Sequence, residues 1–421
     1  MYLISIQELL GILLAIIYNK TMNNVLKSTR LHIGIFGKRN VGKSSLLNLI
    51  TGQAISIVSN VAGTTTDPVE KVMELLPIGP VLFVDTAGVD DIGALGEQRV
   101  KKTFSIMNRI NIALIVCDYK GIDEFEIAII DELTKRQTPF GIIINKNDEG
   151  KISEENFLKI KDITPNFLEI NTQDKCFVTP LKQLIVNIMP EGFFDDEKII
   201  DDLVKSGDTI VQVIPIDKEA PKGRLILPQV RTIRNALDNS VVSVITNEKE
   251  LPNVLNNLKN PPSLVITDSQ AFAKVDKIVP KNIKLTSYSI LFAKLKGDLA
   301  QFVEGAKKIK NLKDGDKILI CESCTHHPVC NDIGRVKIPN LLKKTTGKNL
   351  YFETFAGHDF PENLKAFALI IHCGACMTNK KEVLSRILLA KEANVPITNY
   401  GISIAECLGI LDRAVAGAIR N

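Results

Sequence analysis

The segment GKRNVGKS, Gly37 to Ser44, constrains this chain more than any other stretch of its sequence. It matches G-x-x-x-x-G-K-[ST] and lies between the apolar run Leu31–Phe36 and a helical pattern, the strand–loop–helix setting that a phosphate-binding loop requires. Gly37 and Gly42 let backbone N–H groups turn inward around phosphate oxygens, and the helix start adds the positive end of its dipole. Lys43 is placed to reach the β- and γ-phosphates and Ser44 to hold Mg²⁺. Asn40, Val41 and Ser45 complete the expected phosphate-binding set.

Two further signals follow at suitable distances. Val81–Val84 runs into Asp85-Thr86-Ala87-Gly88. An aspartate leaving the end of a buried strand can bind Mg²⁺ through water, and the Gly88 N–H can sense a γ-phosphate. After another apolar run comes Asn145-Lys146-Asn147-Asp148. A carboxylate at Asp148 can accept both the N1–H and the N2–H₂ of guanine; adenine offers no such pair, and a site built on hydrogen bonds discriminates strongly. GTP is therefore the expected nucleotide. Between these signals lies Gly63-Thr64-Thr65-Thr66-Asp67, a switch-like segment whose threonine would complete the Mg²⁺ shell, Thr65 first and Thr64 next. Lys43, Thr65 and Gly88 are the expected catalytic residues.

The pattern GxxNVGKS…GTTTDP…DTAG…NKxD resembles the bacterial GTPase family that includes Era, Der and TrmE. In parts of that family the asparagine matching Asn40 binds K⁺, which supplies charge where an arginine finger would act. The resemblance therefore implies potassium-stimulated hydrolysis. Val89, not a glutamine, follows DTAG, so another group must place the attacking water and slow intrinsic turnover is expected. The last guanine loop of the family is usually a Ser-Ala pair; the nearest segment here is Ile170-Asn171-Thr172, which leaves it unassigned.

A chain of 421 residues is too long for one core. Candidate strands Leu31–Phe36, Val81–Asp85, Ile112–Cys117 and Phe140–Asn145 alternate with helical patterns, which argues for a parallel sheet covered by helices. The polar, acidic stretch from Pro190 to Asp202 reads as a linker. A second α/β stretch carries runs at Thr209–Ile214, Val241–Ile245 and Ser263–Ile266, with prolines that keep its elements short. A third has strands at Lys317–Ile320, Ala368–His372 and Pro396–Tyr400. The expected fold is α/β, a doubly wound P-loop GTPase sheet over 29–190 followed by two smaller α/β domains at 200–285 and 286–421. Residues 1–28 read as an extension, either upstream of a natural start at Met22 or a stray amphipathic helix. Its apolar run Leu9–Tyr18 is short for a membrane span and lacks the flanks of a signal peptide.

The cysteines crowd the end of the chain. Lys317–Ile320 delivers Cys321-Glu322-Ser323-Cys324-Thr325-His326-His327, and Ala368–Ile371 delivers His372-Cys373-Gly374-Ala375-Cys376. If these strands are parallel neighbours, both loops emerge at one sheet edge, where open α/β sheets place ligands. One soft-ligand metal site is expected from Cys324, Cys373 and Cys376 with His or Cys neighbours. Tetrahedral zinc and a 4Fe-4S cluster both suit thiolates, and composition does not separate them. Cys117, Cys176, Cys330 and Cys407 read as buried small apolar side chains.

Here the sequence resembles the FeFe-hydrogenase maturation GTPase family, whose signature is C-x-H, a gap, then H-C-x-x-C. This chain has Cys324-Thr325-His326, and His372-Cys373-Gly374-Ala375-Cys376 after 45 residues, the short end of the expected range. The resemblance runs from Arg30 onward. It implies a 4Fe-4S cluster held by Cys324, Cys373 and Cys376 with an exchangeable fourth position, His326 and His372 as weak ligands or donors to them, and a middle domain that dimerises. It further implies a homodimer or dimer of dimers that carries a di-iron subcluster, with two radical-SAM maturation enzymes and the apo-hydrogenase as partners.

The alternative from the residues is an RNA-associated GTPase of the Era and TrmE type with a zinc-bound C-terminal domain. A net charge of +4, no Trp and six Tyr give no basic, aromatic-studded patch for it. Neither nucleic acid nor membrane is expected as a partner. Reduced thiols available to a metal point to the cytoplasm.

Overall fold

A computed structural model describes residues 27–51, 69–76, 78–85, 103–146, 150–191, 193, 198–216, 225–323, 332–358, 360–361, 363–376 and 378–418. The chain divides into two compact units, Met1–Asp195 and Asp196–Asn421.

The first unit is built on a six-stranded sheet. Its strands are β1 (Leu31–Phe36), β2 (Val69–Leu75), β3 (Gly79–Asp85), β4 (Ile112–Cys117), β5 (Phe140–Asn145) and β6 (Phe167–Ile170), in the order β2-β3-β1-β4-β5-β6. All neighbours are parallel except β2 and β3, so the sheet is mixed, with an antiparallel edge. β1 and β4 are buried along their whole length because both faces are covered, which is why they read as unbroken apolar runs. Leu31, Ile33 and Ile35 pack on one face with helices Lys43–Thr51 and Val178–Ile188. Phe36, Leu82 and Val84 pack on the other, with helix Glu124–Lys135. That helix starts where Asp123 accepts from Phe125 N–H and Glu126 returns to the Asp123 N–H, a capping box.

The second unit holds two four-stranded parallel sheets. One has the order β10-β9-β7-β8, from β7 (Thr209–Val213), β8 (Val242–Thr246), β9 (Leu264–Thr267) and β10 (Lys284–Ser287). The other has the order β12-β11-β13-β14, from β11 (Lys317–Glu322), β12 (Tyr351–Ala356), β13 (Leu369–His372) and β14 (Ile397–Asn399). A single apolar core running from Ile199 to Ala418 joins them. Ile199 and Ile200 are fully buried in it, so the stretch read as a linker already contributes to the second core before it ends. Prolines keep these strands short, and Pro228 and Pro252 open the helices Leu227–Asp238 and Leu251–Asn257, where a missing N–H costs nothing.

Among the described residues no helix is long and apolar enough to cross a membrane. Cys117 is buried as expected, but Cys176 is exposed. It lies in the single 3-10 turn Lys175–Phe177, set by the Asp174 carboxylate accepting its N–H, and such a turn has no buried face to offer. Residues 1–26 lie outside the described residues.

Candidate functional site

The phosphate loop leaves β1 and enters helix Lys43–Thr51 at its first residue. Gly37 has φ +139°, and a Cβ there would stand 2.2 Å from the Val116 carbonyl oxygen on β4. Gly42 has φ +101°, and its Cβ would stand 2.2 Å from Asn145 Nδ2. Both glycines are thus required by close backbone approach as well as by conformation. Asn40 is itself left-handed, at φ +63°. Lys43 is buried and curls over the loop, donating to the Gly37 carbonyl at 2.7 Å and to that of Lys38. Val41 is buried, while Ser44 and Ser45 are exposed.

Asn145 ties three segments together. Its Nδ2 donates to the Val41 carbonyl at 2.9 Å, and its Oδ1 accepts from the Thr172 N–H at 3.3 Å. The segment after β6, unassigned from the sequence, is thereby bound to the end of β5. Lys146 forms an ion pair with Glu169 on β6. Asp85, at the C-terminal end of β3, is buried with an Oδ1 that has no hydrogen-bond partner among the described residues. Burial pushes its carboxyl up, against the pull of Lys43 and Lys71. An orphaned acceptor beside a phosphate-loop lysine suits a hydrated Mg²⁺. Thr64, Thr65, Gly88 and Asp148 lie outside the described residues.

In the second unit β11 and β13 are parallel neighbours, with Cys321 opposite His372. The Cys373 N–H donates to the Cys321 carbonyl at 2.8 Å. Ser323 N–H donates to Cys373 Sγ at 3.1 Å, and the Ser323 hydroxyl lies 3.0 Å from the same sulfur. Burial works against a thiolate at Cys373, but the adjacent His372 ring and the hydrogen bonds from Ser323 and the Ala375 N–H outweigh it and bring the thiol down to about 6. Cys321 is the opposite case: fully buried on its strand, its thiol is pushed up to about 12. It is an inert core cysteine rather than a ligand.

His372 is also buried, and both its ring nitrogens are engaged. Nδ1 faces the Cys373 carbonyl at 2.8 Å, and Nε2 lies 3.0 Å from Arg386 Nη1. A guanidinium can only donate, so Nε2 is the acceptor and Nδ1 carries the hydrogen. In this arrangement His372 orients the loop and has no lone pair for a metal. Arg386 continues to the Gly357 carbonyl and to Glu382, which also meets His358.

Sequence reasoning missed Ser323, Arg386 and Lys296. Lys296 ends helix Tyr288–Lys296 and is buried, donating to the carbonyls of Ala375 at 2.7 Å and Thr378 at 2.8 Å. It clamps the Cys-x-x-Cys loop from a different element, and nothing in its local sequence marks it. Ser323, within the Cys-Glu-Ser-Cys string, was within reach. Cys324 and His326 lie outside the described residues, within which no three His, Cys, Asp or Glu side chains group as metal ligands. Cys376 is half-buried at the turn after left-handed Ala375.

Comparison with known proteins adds the family. Residues 300–417 match the hydrogen maturase F tetramerization domain, residues 199–297 the hydrogen maturase F dimerization domain, and residues 32–146 the 50S ribosome-binding GTPase domain. The chain belongs to the hydrogen maturase F family. Its first unit is a GTPase domain, and its second matches the dimerization and tetramerization domains of hydrogen maturase F. Among relatives, it is 29% identical over 250 residues to the tRNA modification GTPase MnmE of Flavobacterium psychrophilum, covering 56% of this chain and 53% of that protein. It is 38% identical over 126 residues to GTPase Der of Wolinella succinogenes, covering 28% of this chain and 26% of that protein. The chain thus spans about half the length of these relatives or less. A solved structure of Aquifex aeolicus Era bound to GDP and aluminium fluoride aligns at 19% identity and a TM-score of 0.32, over 53% of this chain and 97% of that one.

Proposed function

We propose that this chain hydrolyses GTP and serves as an iron–sulfur scaffold or carrier, on which the di-iron precursor of the FeFe-hydrogenase active site is assembled and from which it passes to the apo-hydrogenase. The observation that carries this reading is the parallel pairing of β11 with β13, which sends the Ser323 and Cys373 loops out at one sheet edge in a hydrogen maturase F chain.

The donor set fits the cluster. Cys373 has a lowered thiol and hydrogen bonds to its sulfur, as thiolates bonded to iron commonly have. Cys324, Cys373 and Cys376 would hold it. When bound, a 4Fe-4S cluster supplies one-electron redox chemistry and an iron at which cargo can attach. The chain's own residues shape the setting: Lys296 fixes the carbonyls of the Cys-x-x-Cys loop, His372 and Arg386 anchor its start, and Cys321 stays in the core.

In the GTPase domain, Lys43 would neutralise the β- and γ-phosphates while loop N–H groups cradle them. Ser44, Thr65 and Asp85 would hold Mg²⁺, and Asn40 would hold K⁺. Asp148 and Lys146 would read guanine, with Asn145 fixing the base loop against the phosphate loop. The Gly88 N–H would report the γ-phosphate. The dimerization and tetramerization domains support self-association, which we read as a homodimer or dimer of dimers, and the radical-SAM maturation enzymes and apo-hydrogenase as partners in the cytoplasm.

The test is anaerobic reconstitution with iron and sulfide, with Cys373→Ser and Cys324→Ala alongside. About four irons per wild-type chain, lost in both variants, is expected. Stoichiometric zinc without iron, together with salt-sensitive RNA binding, would overturn this reading in favour of the RNA-associated one.

A further inference from the structure

A third strand reaches the same edge. β14 pairs with β13 so that Asn399 stands opposite His372, which is itself opposite Cys321. Next along the chain come Glu322 at the end of β11, and Cys373 and Tyr400 just past the ends of β13 and β14. Tyr400 opens the helix Tyr400–Cys407, whose N-cap Asn399 accepts from the Ile402 N–H and fixes where the ring begins.

The Tyr400 hydroxyl is buried and has no hydrogen-bond partner among the described residues. Its position is enforced. A Cβ on Gly334 would stand 2.0 Å from the hydroxyl oxygen and 3.1 Å from Glu322 Oε1, so only glycine fits beside it. Gly334 sits in a π-helical turn, Ile333–Lys337, a geometry that recurs at functional sites. The neighbouring Glu322 carboxylate is already occupied by Arg335, at 2.8 Å from Nη2. Burial pushes the phenol up, so it is a neutral donor. A buried donor without an acceptor is costly unless something completes it.

We propose that the Tyr400 hydroxyl donates a hydrogen bond to a sulfur of the cluster carried at this edge, and so sets the cluster's reduction potential. This rests on the iron–sulfur reading above. A hydrogen bond to sulfur favours the more negative, reduced cluster, and such bonds are among the known determinants of iron–sulfur potentials. Tyr400 is a positioning and tuning residue here, holding its acceptor without being a ligand.

The experiment is a redox titration, followed by electron paramagnetic resonance, on the full chain reconstituted anaerobically. It compares wild type, Tyr400→Phe, Gly334→Ala and the double variant, with iron and sulfide counted in each. Tyr400→Phe keeps the ring and should keep the wild-type iron content. At fixed potential its reduced-to-oxidised ratio should fall about three- to tenfold, the worth of one hydrogen bond. That corresponds to about 30–60 mV for a one-electron couple. Gly334→Ala, by displacing the hydroxyl, should lower the potential in the wild-type background and change nothing further once Tyr400 is Phe. A full cluster whose potential Tyr400→Phe leaves unmoved overturns the assignment alone, as does loss of iron in that variant, which would make Tyr400 a structural support. A wild-type chain that takes up zinc and no iron overturns the scaffold reading and this assignment with it.

Discussion

Single residues in this protein are fixed by what their neighbours leave room for. Gly42 combines φ +101° with a side-chain amide 2.2 Å from where a Cβ would stand. Gly42→Ala should therefore break the Asn145 tie between phosphate loop and base loop, and GTP affinity measured by fluorescent-nucleotide titration should fall at least about tenfold. Retained affinity would mean that the loop re-forms without Asn145. Glu382 makes a pH-dependent case. Burial alone would raise its carboxyl, but the hydrogen bond from His358 and the charge of Arg386 prevail and hold it below its ordinary 4.5. A carboxyl depressed by folding adds stability above its unfolded value and loses it as the pH falls through the folded one. Glu382→Gln should thus be less stable than wild type at neutral pH. The gap in urea midpoints should narrow below pH 4.5, and a gap that widens on acidification would contradict this.

At the scale of elements, the strands that escaped the sequence share one physical feature. β1, β4 and β5 were read with the bounds they have, and β3, β7, β8, β9, β11, β13 and β14 within a residue or two. β2, β6, β10 and β12 were not read, and each is an edge of its sheet; of the edge strands only β8 and β14 were read. An edge strand packs on one neighbour and keeps polar positions, as in VEKVMEL and YFETFA, so it lacks the apolar run that marks a covered strand. Contacts between elements are equally invisible beforehand. Gly305 in helix Leu299–Lys307 lets that helix meet β14 backbone to backbone, since a Cβ would stand 1.9 Å from the Ile397 oxygen. Gly305→Ala should destabilise the second unit by about 1–3 kcal/mol, read as a lower urea midpoint at unchanged m-value. An unchanged midpoint would show that helix and strand can part at no cost.

For the molecule as a whole, the second unit leaves apolar side chains in water. Leu237 is 62% exposed, Val242 54% and Ile245 50%, the latter two on the free edge strand β8 within the hydrogen maturase F dimerization domain. An edge strand with exposed apolar residues invites pairing with another chain. Val242→Lys should move the sedimentation profile toward monomer without changing far-UV circular dichroism. An unchanged oligomer would place the contact elsewhere.

Local order was decided by the sequence: the phosphate loop, the guanine-reading string, the covered strands and the two thiol-bearing loops are contiguous patterns whose chemistry depends on neighbours along the chain. The tertiary structure decided everything that depends on neighbours in space. It made β11 and β13 adjacent and closed both ring nitrogens of His372. It sank Cys321 into the core, and it brought Lys296 and Tyr400 to an edge that their own surroundings in the chain do not announce. The physical reason is that burial and hydrogen bonding act through contact, and contact between remote segments exists only once the sheets have formed.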